Sequence, residues 1–427
     1  MSELISLRRG QRIVTTNSEL NIFRSCRMRW VFEYRNLLRP KRARKPLSVG
    51  KCVHRGIASM YGSILAAQRT QAAIPSTDEM IARALRDMDE GLRSYLAELF
   101  ERIEQGEDVE EIVEESKSFE EEAKGSVERF IAEFGDEDGR RYQVVAIERP
   151  FRTALLDERG TRRPRLTYSG VWDNVLYDPE IKDVVMGEHK TSGADARGAE
   201  KRLDLDPQTT GYVWTLGQVL KDHGAYSKGV FPRWLADELQ GTNGFSRQGR
   251  MPVGRVFYNV VRKTGPKKPK WTKKTGDLSA AQVDTTRDVY EAMLVEQETD
   301  GAPRFDNDGN QIGRFPPKPR TDKQRERLDS LPGDSSKWVS RHEAYHSRDM
   351  IDRWRQEVLY EGRQLRLAIQ GKLPPTRNPN HCNMPWSMAC PYRSICIEDT
   401  PELRESEFKV VNDPHVEVVE AEEESEL

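Results

Sequence analysis

The chain has 427 residues, 36% of them hydrophobic and 32% charged, with a formal net charge of −2. That is enough apolar material for one elaborated domain or two to three simple ones. No run of about 18 apolar residues is present, which excludes a helix spanning a bilayer. The opening MSELISLRRGQR lacks the apolar core of a signal peptide, so a cytoplasmic location is expected.

The near-neutral total conceals segregation: residues 1–55 hold fourteen Lys and Arg against three acids, whereas Asp413–Leu427 holds seven acids and no base. A basic face of this kind permits nucleic-acid binding. Thr16 opens a helix through LNIFRSCRMRWVFEY, with Cys26 among Arg24, Arg27 and Arg29. After a basic, extended linker, Ser48 to about Ala67 reads as a second helix carrying Cys52 and His54. His54 by itself is an ordinary helix residue. Residues 75–135 are acidic, and the spacing of Ile81, Leu85, Met88, Leu92, Leu96 and Leu99 marks an amphipathic helix, read as an arm or lid.

Tyr142–Leu155 reads as a strand that leads into a hairpin, YSGVWDNVLYDPEIKDVVMGEHKTS, from Tyr168 to Ser192. Its strands run from Ser169 to Tyr177 and from Asp183 to Thr191, with the turn at Asp178-Pro179. Strand alternation puts Glu188 and Lys190 on one face and His189 on the other. The hairpin can thus gather Asp173, Glu188 and Lys190 at one point, a constellation suited to a divalent cation acting on phosphate. The plain alternative is a surface hairpin with solvated charges.

Pro207–Leu220 reads as a helix with Gln208 and Tyr212 four apart on one face, a pair without meaning of its own. A strand over Gly254–Arg262 precedes RKTGPKKPKWTKK, which holds seven Lys and Arg and no acid. Lys267, Lys268, Lys270, Lys273 and Lys274 around Trp271 suit phosphate contacts with one stacked base, or else a solvated loop. Residues 300–340 read as a Gly/Pro/Asp-rich mobile loop, and Ser347–Ile369 as a helix.

The segment HCNMPWSMACPYRSIC places Cys382, Cys390 and Cys396 close together. Five cysteines, an odd number, argue against a disulfide framework and for metal or reactive roles. Three clustered thiols call for a fourth, and Cys26 supplies it more readily than Cys52, which sits beside His54. Four thiolates accept zinc or an iron–sulfur cluster, and the residues leave that choice open. The acidic tail reads as disordered.

In order, Cys26, His54, Asp173, Glu188-x-Lys190, Gln208-x-x-x-Tyr212 and the three clustered cysteines resemble the PD-(D/E)XK nuclease superfamily. The branch is the one holding Cas4 and the RecB and AddB nuclease domains, and especially phage-encoded Cas4-like exonucleases. The likeness runs from about residue 16 to 400 and departs from the pattern at His189, at the wide Cys382–Cys390 spacing and in lacking a helicase motor. It implies an α/β (α+β) fold, a restriction-endonuclease-like core with a mixed central sheet flanked by helices.

The expected organisation is N-terminal helices (1–60), an acidic helical insertion (61–140), the nuclease core (141–262), a basic loop and flexible insertion (263–345), a helix and cysteine segment (346–400), and a disordered tail (401–427). The resemblance implies an Mg2+- or Mn2+-dependent deoxyribonuclease, an exonuclease on single strands or DNA ends in phage or bacterial recombination, repair or DNA degradation. His54, Asp173 and Glu188 would hold the ion, with Lys190, Gln208 and Tyr212 completing the catalytic set. A [4Fe–4S] cluster, or alternatively Zn2+, would sit on Cys26, Cys382, Cys390 and Cys396. DNA is the implied partner, with a homo-oligomer or a recombination protein compatible with it. The rival readings are a non-catalytic DNA-binding protein that keeps the fold, and a site-specific endonuclease.

Overall fold

The structure is a computed structural model. It describes residues 13–42, 45–104, 106–155, 166–193, 196–197, 203–221, 230–241, 253, 255–272, 275–281, 283–305, 311–331, 333, 336–384, 388–415 and 418–419. β1 (Ile13–Thr15) leads into α1 (Asn17–Ser25), whose first turn is capped by the Thr16 hydroxyl accepting the Glu19 N–H at 3.2 Å. Then come α2 (Arg27–Trp30), β2 (Leu38–Pro40), and four helices, α3 (Lys45–Thr70), α4 (Thr77–Asp87), α5 (Asp89–Glu104) and α6 (Val109–Arg141).

β3 (Gln143–Leu155), β4 (Leu166–Asp178) and β5 (Asp183–Ser192) form an antiparallel meander. The Pro207–Lys221 and Arg233–Gly241 helices cross over to β6 (Arg255–Arg262), which runs parallel to β5. An insertion carries the Arg287–Thr299 helix, the ribbon of β7 (Pro303–Phe305) and β8 (Gln311–Arg314), and the Asp322–Ser330 helix. β9 (Val339–Tyr345) closes the sheet antiparallel to β6. The Arg348–Ile369 helix, the ribbon of β10 (Asn383–Met384) and β11 (Met388–Ala389), two short helices and β12 (Phe408–Val410) complete the described chain.

This is the expected mixed sheet flanked by helices. Neighbouring β5 residues divide between two cores, because side chains alternate across a strand. Val184 and Met186 pack with Trp172, Val213 and Trp354 under the crossover and C-terminal helices. Val185 packs with Val53, Ile57 and Phe130 under α3–α6. The acidic helices are therefore not a detached arm: Phe119, Val127, Phe130 and Ile131 are fully buried against the sheet layer.

Two stretches differ from the sequence expectation. Within residues 300–340 the Asp322–Ser330 helix carries a full capping box between Thr321 and Gln324. With the preceding helix it builds a small core of Leu278, Tyr290, Leu294, Leu328 and Leu331. Beyond residue 400, Pro401–Glu407 is helical and β12 pairs with β2. Phe408 there stacks on Tyr392, which stacks on Phe32, so an apolar anchor outweighs the surrounding acids. Among the described residues no helix is long and apolar enough to cross a membrane.

Candidate metal centre

Three strands lose their regular pairing at one place. On one side β4 is paired along its length by β3, but on the other it is shared. Leu166–Tyr168 pair with β1, and Asn174–Asp178 pair with β5. Asp173 sits in the gap. The last β4–β5 pair is Asn174–Gly187, after which β5 diverges toward β6. The side chain of Asp173 bridges the opening, its Oδ2 accepting the His189 N–H at 2.6 Å. Glycine at 187 leaves room for the Asn174 amide: a Cβ there would stand 1.7 Å from Asn174 Oδ1, so the asparagine would have to move.

The third irregularity is Glu148 on β3, opposite Asp173 between the Ile147–Asn174 and Arg149–Trp172 pairs. Its φ is +42°, the left-handed region that a glutamate enters at a cost of about 1–2 kcal/mol. The kink switches faces, so Ile147 packs under α3–α6 while Phe151 packs on the opposite side. Ligand atoms of His54, Glu148 and Asp173 consequently lie within 4.8 Å of one another. His54, projecting from α3, stands with Nδ1 3.5 Å from Asp173 Oδ1. Sequence reasoning missed Glu148. The only signal was a charged residue interrupting the apolar run VVAI.

Glu188 lies beside this set, not within the 4.8 Å group, and is almost wholly buried. Its Oε1 accepts from Lys190 Nζ and, at 3.1 Å, from Gln208 Nε2; Gln208 Oε1 in turn accepts from Lys190 Nζ at 3.1 Å. Gln208 is fixed by the start of its helix, where its N–H donates to Asp206 Oδ1 at 2.9 Å. Tyr212, one turn on, is buried edge-on against Phe151. The expected set of Glu188, Lys190, Gln208 and Tyr212 is thus contiguous.

The electrostatics suit a cation. Burial, then the negative charge of Asp173, lifts Glu188 to about 7 despite Lys190. Burial works against a charged His54, but the charge and hydrogen bond of Asp173, with Glu148 and Glu188, raise it to about 9. Burial opposes ionisation of Asp173 too, yet His54 and the His189 amide draw it down to about 2. Glu188 Oε2 is buried with no hydrogen-bond partner among the described residues. An orphaned acceptor among acids is what a hard cation would satisfy, so the residues fit a divalent ion with oxygen and imidazole ligands.

His189 points to the strand face opposite Glu188 and Lys190, as alternation requires, but its ring stands edge-on to His54 at 6.1 Å, so it borders the cluster. Its ring packs against Tyr61 and Phe130, and Nδ1 meets Asn259 Nδ2 at 3.2 Å. Asn259 is held by Arg341, which pairs with the buried Asp138 at 2.6 and 2.8 Å. Burial keeps His189 neutral, its pKa drawn down to about 3. It is a wedge between sheet and helices, and its main chain positions Asp173.

The cysteines are drawn toward one region without converging to tight ligand distance. Cys26 ends α1, and Cys390 and Cys396 pack against the Phe32–Tyr392–Phe408 core. Burial, then Cys26, Cys382 and Cys390 against the pull of Arg377, push the Cys396 thiol up. Among the described residues, however, no three of these thiols lie mutually within 4.8 Å. Cys52 is buried on α3 apart from them. Lys267, Lys268 and Lys270 are exposed beyond the C-terminal end of β6, whereas Trp271 is half-buried against the insertion core and bridges to Leu278. Lys273 and Lys274 lie outside the described residues.

A family model described as the PD-(D/E)XK nuclease superfamily matches residues 15–397. No curated protein matches the chain.

Proposed function

The chain belongs to the PD-(D/E)XK nuclease superfamily, and on that premise we propose that it is an Mg2+- or Mn2+-dependent deoxyribonuclease, an exonuclease acting on single strands or DNA ends. The observation that carries the reading is the strand fork, where His54, Glu148 and Asp173 converge beside Glu188, Lys190 and Gln208. His54, Glu148, Asp173 and Glu188 would hold the ion. A bound divalent ion supplies Lewis-acid polarisation of the phosphodiester and lowers the pKa of a coordinated water.

The protein's own groups do the rest. Lys190, half-buried and held charged by Glu188, offers a cation to the non-bridging phosphate oxygens and orients the attacking water. Gln208 fixes the lysine, and Tyr212 fixes the helix that carries Gln208. Exposed Lys267, Lys268 and Lys270, with Trp271, would contact DNA where β5 and β6 end, the edge at which open α/β sheets commonly bind ligands.

The test is degradation of end-labelled linear DNA in Mg2+ or Mn2+ by the wild type beside Glu188→Ala and Lys190→Ala. Each variant should lose about 10²–10³-fold in rate, the usual cost of one electrostatic group. Equal degradation by all three would end the assignment. Metal-independent binding without cleavage would favour the non-catalytic reading, and cutting of closed circular DNA would favour the endonuclease.

The four thiols Cys26, Cys382, Cys390 and Cys396 are proposed to hold a [4Fe–4S] cluster. Their support is the donor set and the field that Cys26 and Cys382 exert on Cys390 and Cys396. A single tetrahedral zinc with Zn–S of about 2.3 Å needs all four sulfurs roughly 3.8 Å apart, and among the described residues no three of these thiols lie mutually within 4.8 Å. Iron and sulfide in anaerobically purified protein would support the cluster. Stoichiometric zinc without iron would remove it.

A further inference from the structure

A groove of about 1250 Å3 runs along the outer edge of β3, lined by Gln143–Ile147 and Arg149 of that strand, the end of α3, and the residues after 230. Four cations line it: Arg69, Arg149, Lys182 and Arg233. None of them has a carboxylate within ion-pair distance among the described residues. The acid in the lining, Glu238, is bonded to the Tyr177 hydroxyl at 3.2 Å. Trp234 lies in the same lining, 37% exposed, its ring held edge-on by Tyr177 at 5.5 Å.

We propose that this groove binds a single DNA strand and carries it along β3 to or from the metal centre. One end abuts the centre, because Arg149 directly follows Glu148. From Gln143 to Glu148 the strand spans about 16 Å at the usual rise. Unpaired cations at the walls suit phosphates, and an exposed indole suits one unstacked base. A duplex would offer Trp234 no free base face. A peptide strand adding to β3 is opposed by Gln68, whose side chain donates to the Tyr142 carbonyl at 2.7 Å and accepts the Val144 N–H at 2.9 Å. The strand edge is thereby occupied where such pairing would begin. The proposal rests on the nuclease reading for the destination of the strand, though not for the binding itself.

The test uses the full chain and a fluorescein-labelled oligothymidylate 20-mer, read by anisotropy in EDTA over a salt series. The Arg69→Glu/Arg233→Glu variant should bind at least tenfold more weakly. Arg69→Ala/Arg233→Ala should lower the slope of log K against log salt by about 1.4, at 0.7 per phosphate, and Trp234→Ala should weaken binding without moving the slope. Arg69 and Arg233 are exposed, so melting of both arginine variants should match the wild type, and the alanine pair checks that charge reversal has not unfolded the protein.

Unchanged affinity and slope would overturn the proposal, as would an equal loss on a blunt 20-base-pair duplex. Hydrolysis of bis(p-nitrophenyl) phosphate with Mn2+, which is too small to need the groove, separates the two readings. The groove variants should retain it. If the wild type lacks it while the variants lose strand binding, the groove stands and the nuclease reading fails.

Discussion

Asp173 Oδ2 accepts the main-chain N–H of His189 at 2.6 Å, a side chain standing where a neighbouring strand's carbonyl would be in an unbroken ladder. That bond lets β5 leave β4 without orphaning a buried amide, and it holds Asp173 beside His54. The fork depends on Asn174 and Gly187 meeting face to face. A methyl at 187 would stand 1.7 Å from Asn174 Oδ1. Gly187→Ala is expected to cost about 1–3 kcal/mol in urea unfolding, as overpacking does. In the double variant Gly187→Ala/Asn174→Ala part of that loss should return, a coupling of about 1 kcal/mol or more. Additive losses would show that the clash is not what glycine avoids.

Glu148 separates strain from ligation. In Glu148→Ala the carboxylate is gone but φ of +42° is kept, whereas Glu148→Gly removes the carboxylate and the steric objection together. The metal-free glycine variant should be the more stable of the two by about 1 kcal/mol in urea unfolding. Both should bind Mn2+ at least about 10-fold more weakly than wild type in calorimetry, since losing even a ligand's supporting partner costs that much. A glycine variant less stable than the alanine variant would show that the strand kink carries no strain.

How much of this was legible follows from what each signal depends on. The hairpin was readable because strand alternation is a local property: Glu188 and Lys190 two apart must share a face, and a buried His189 follows. Glu148 was not, because its membership depends on the register of β3 against β4 and on a backbone kink that no residue type announces. Trp271 in a lysine run looks like a free stacking platform, but Leu278, seven residues on, claims part of it. The anchor at Phe408 was hidden by the acids around it, since its partners Tyr392 and Phe32 are distant in sequence.

Metal binding should release protons. In the metal-free protein Glu188 titrates near 7 and His54 near 9, so at pH 7 His54 and part of Glu188 are protonated. Each must deprotonate to act as a ligand. The apparent Mn2+ affinity should therefore rise with pH between about 7 and 9. Both groups are raised above their unfolded values, so they stabilise the metal-free fold most at low pH. That contribution is lost as pH rises through about 7 for Glu188 and about 9 for His54. Calorimetry of Mn2+ binding at pH 7 in two buffers of different ionisation enthalpy checks this. Heats that do not differ between buffers would mean that no proton leaves.

The two ends of the chain are held by packing and main-chain bonds as well as by any cluster. The Tyr392 hydroxyl donates to the Leu38 carbonyl at 2.9 Å, Asn378 Nδ2 donates to the Ser25 carbonyl at 2.8 Å, and the Met28 N–H donates to the Thr376 carbonyl at 3.2 Å. Phe32, Tyr392 and Phe408 stack in series behind them. Removing the thiols and removing this core should therefore have different consequences. Cys396→Ser should abolish any bound iron while limited proteolysis still leaves residues 388–410 protected. Phe408→Ala, which opens a cavity in a small core, should cost about 3–5 kcal/mol and expose that segment to protease even in iron-loaded protein. If Cys396→Ser alone exposes it, the ends are clamped by metal and the aromatic stack is secondary.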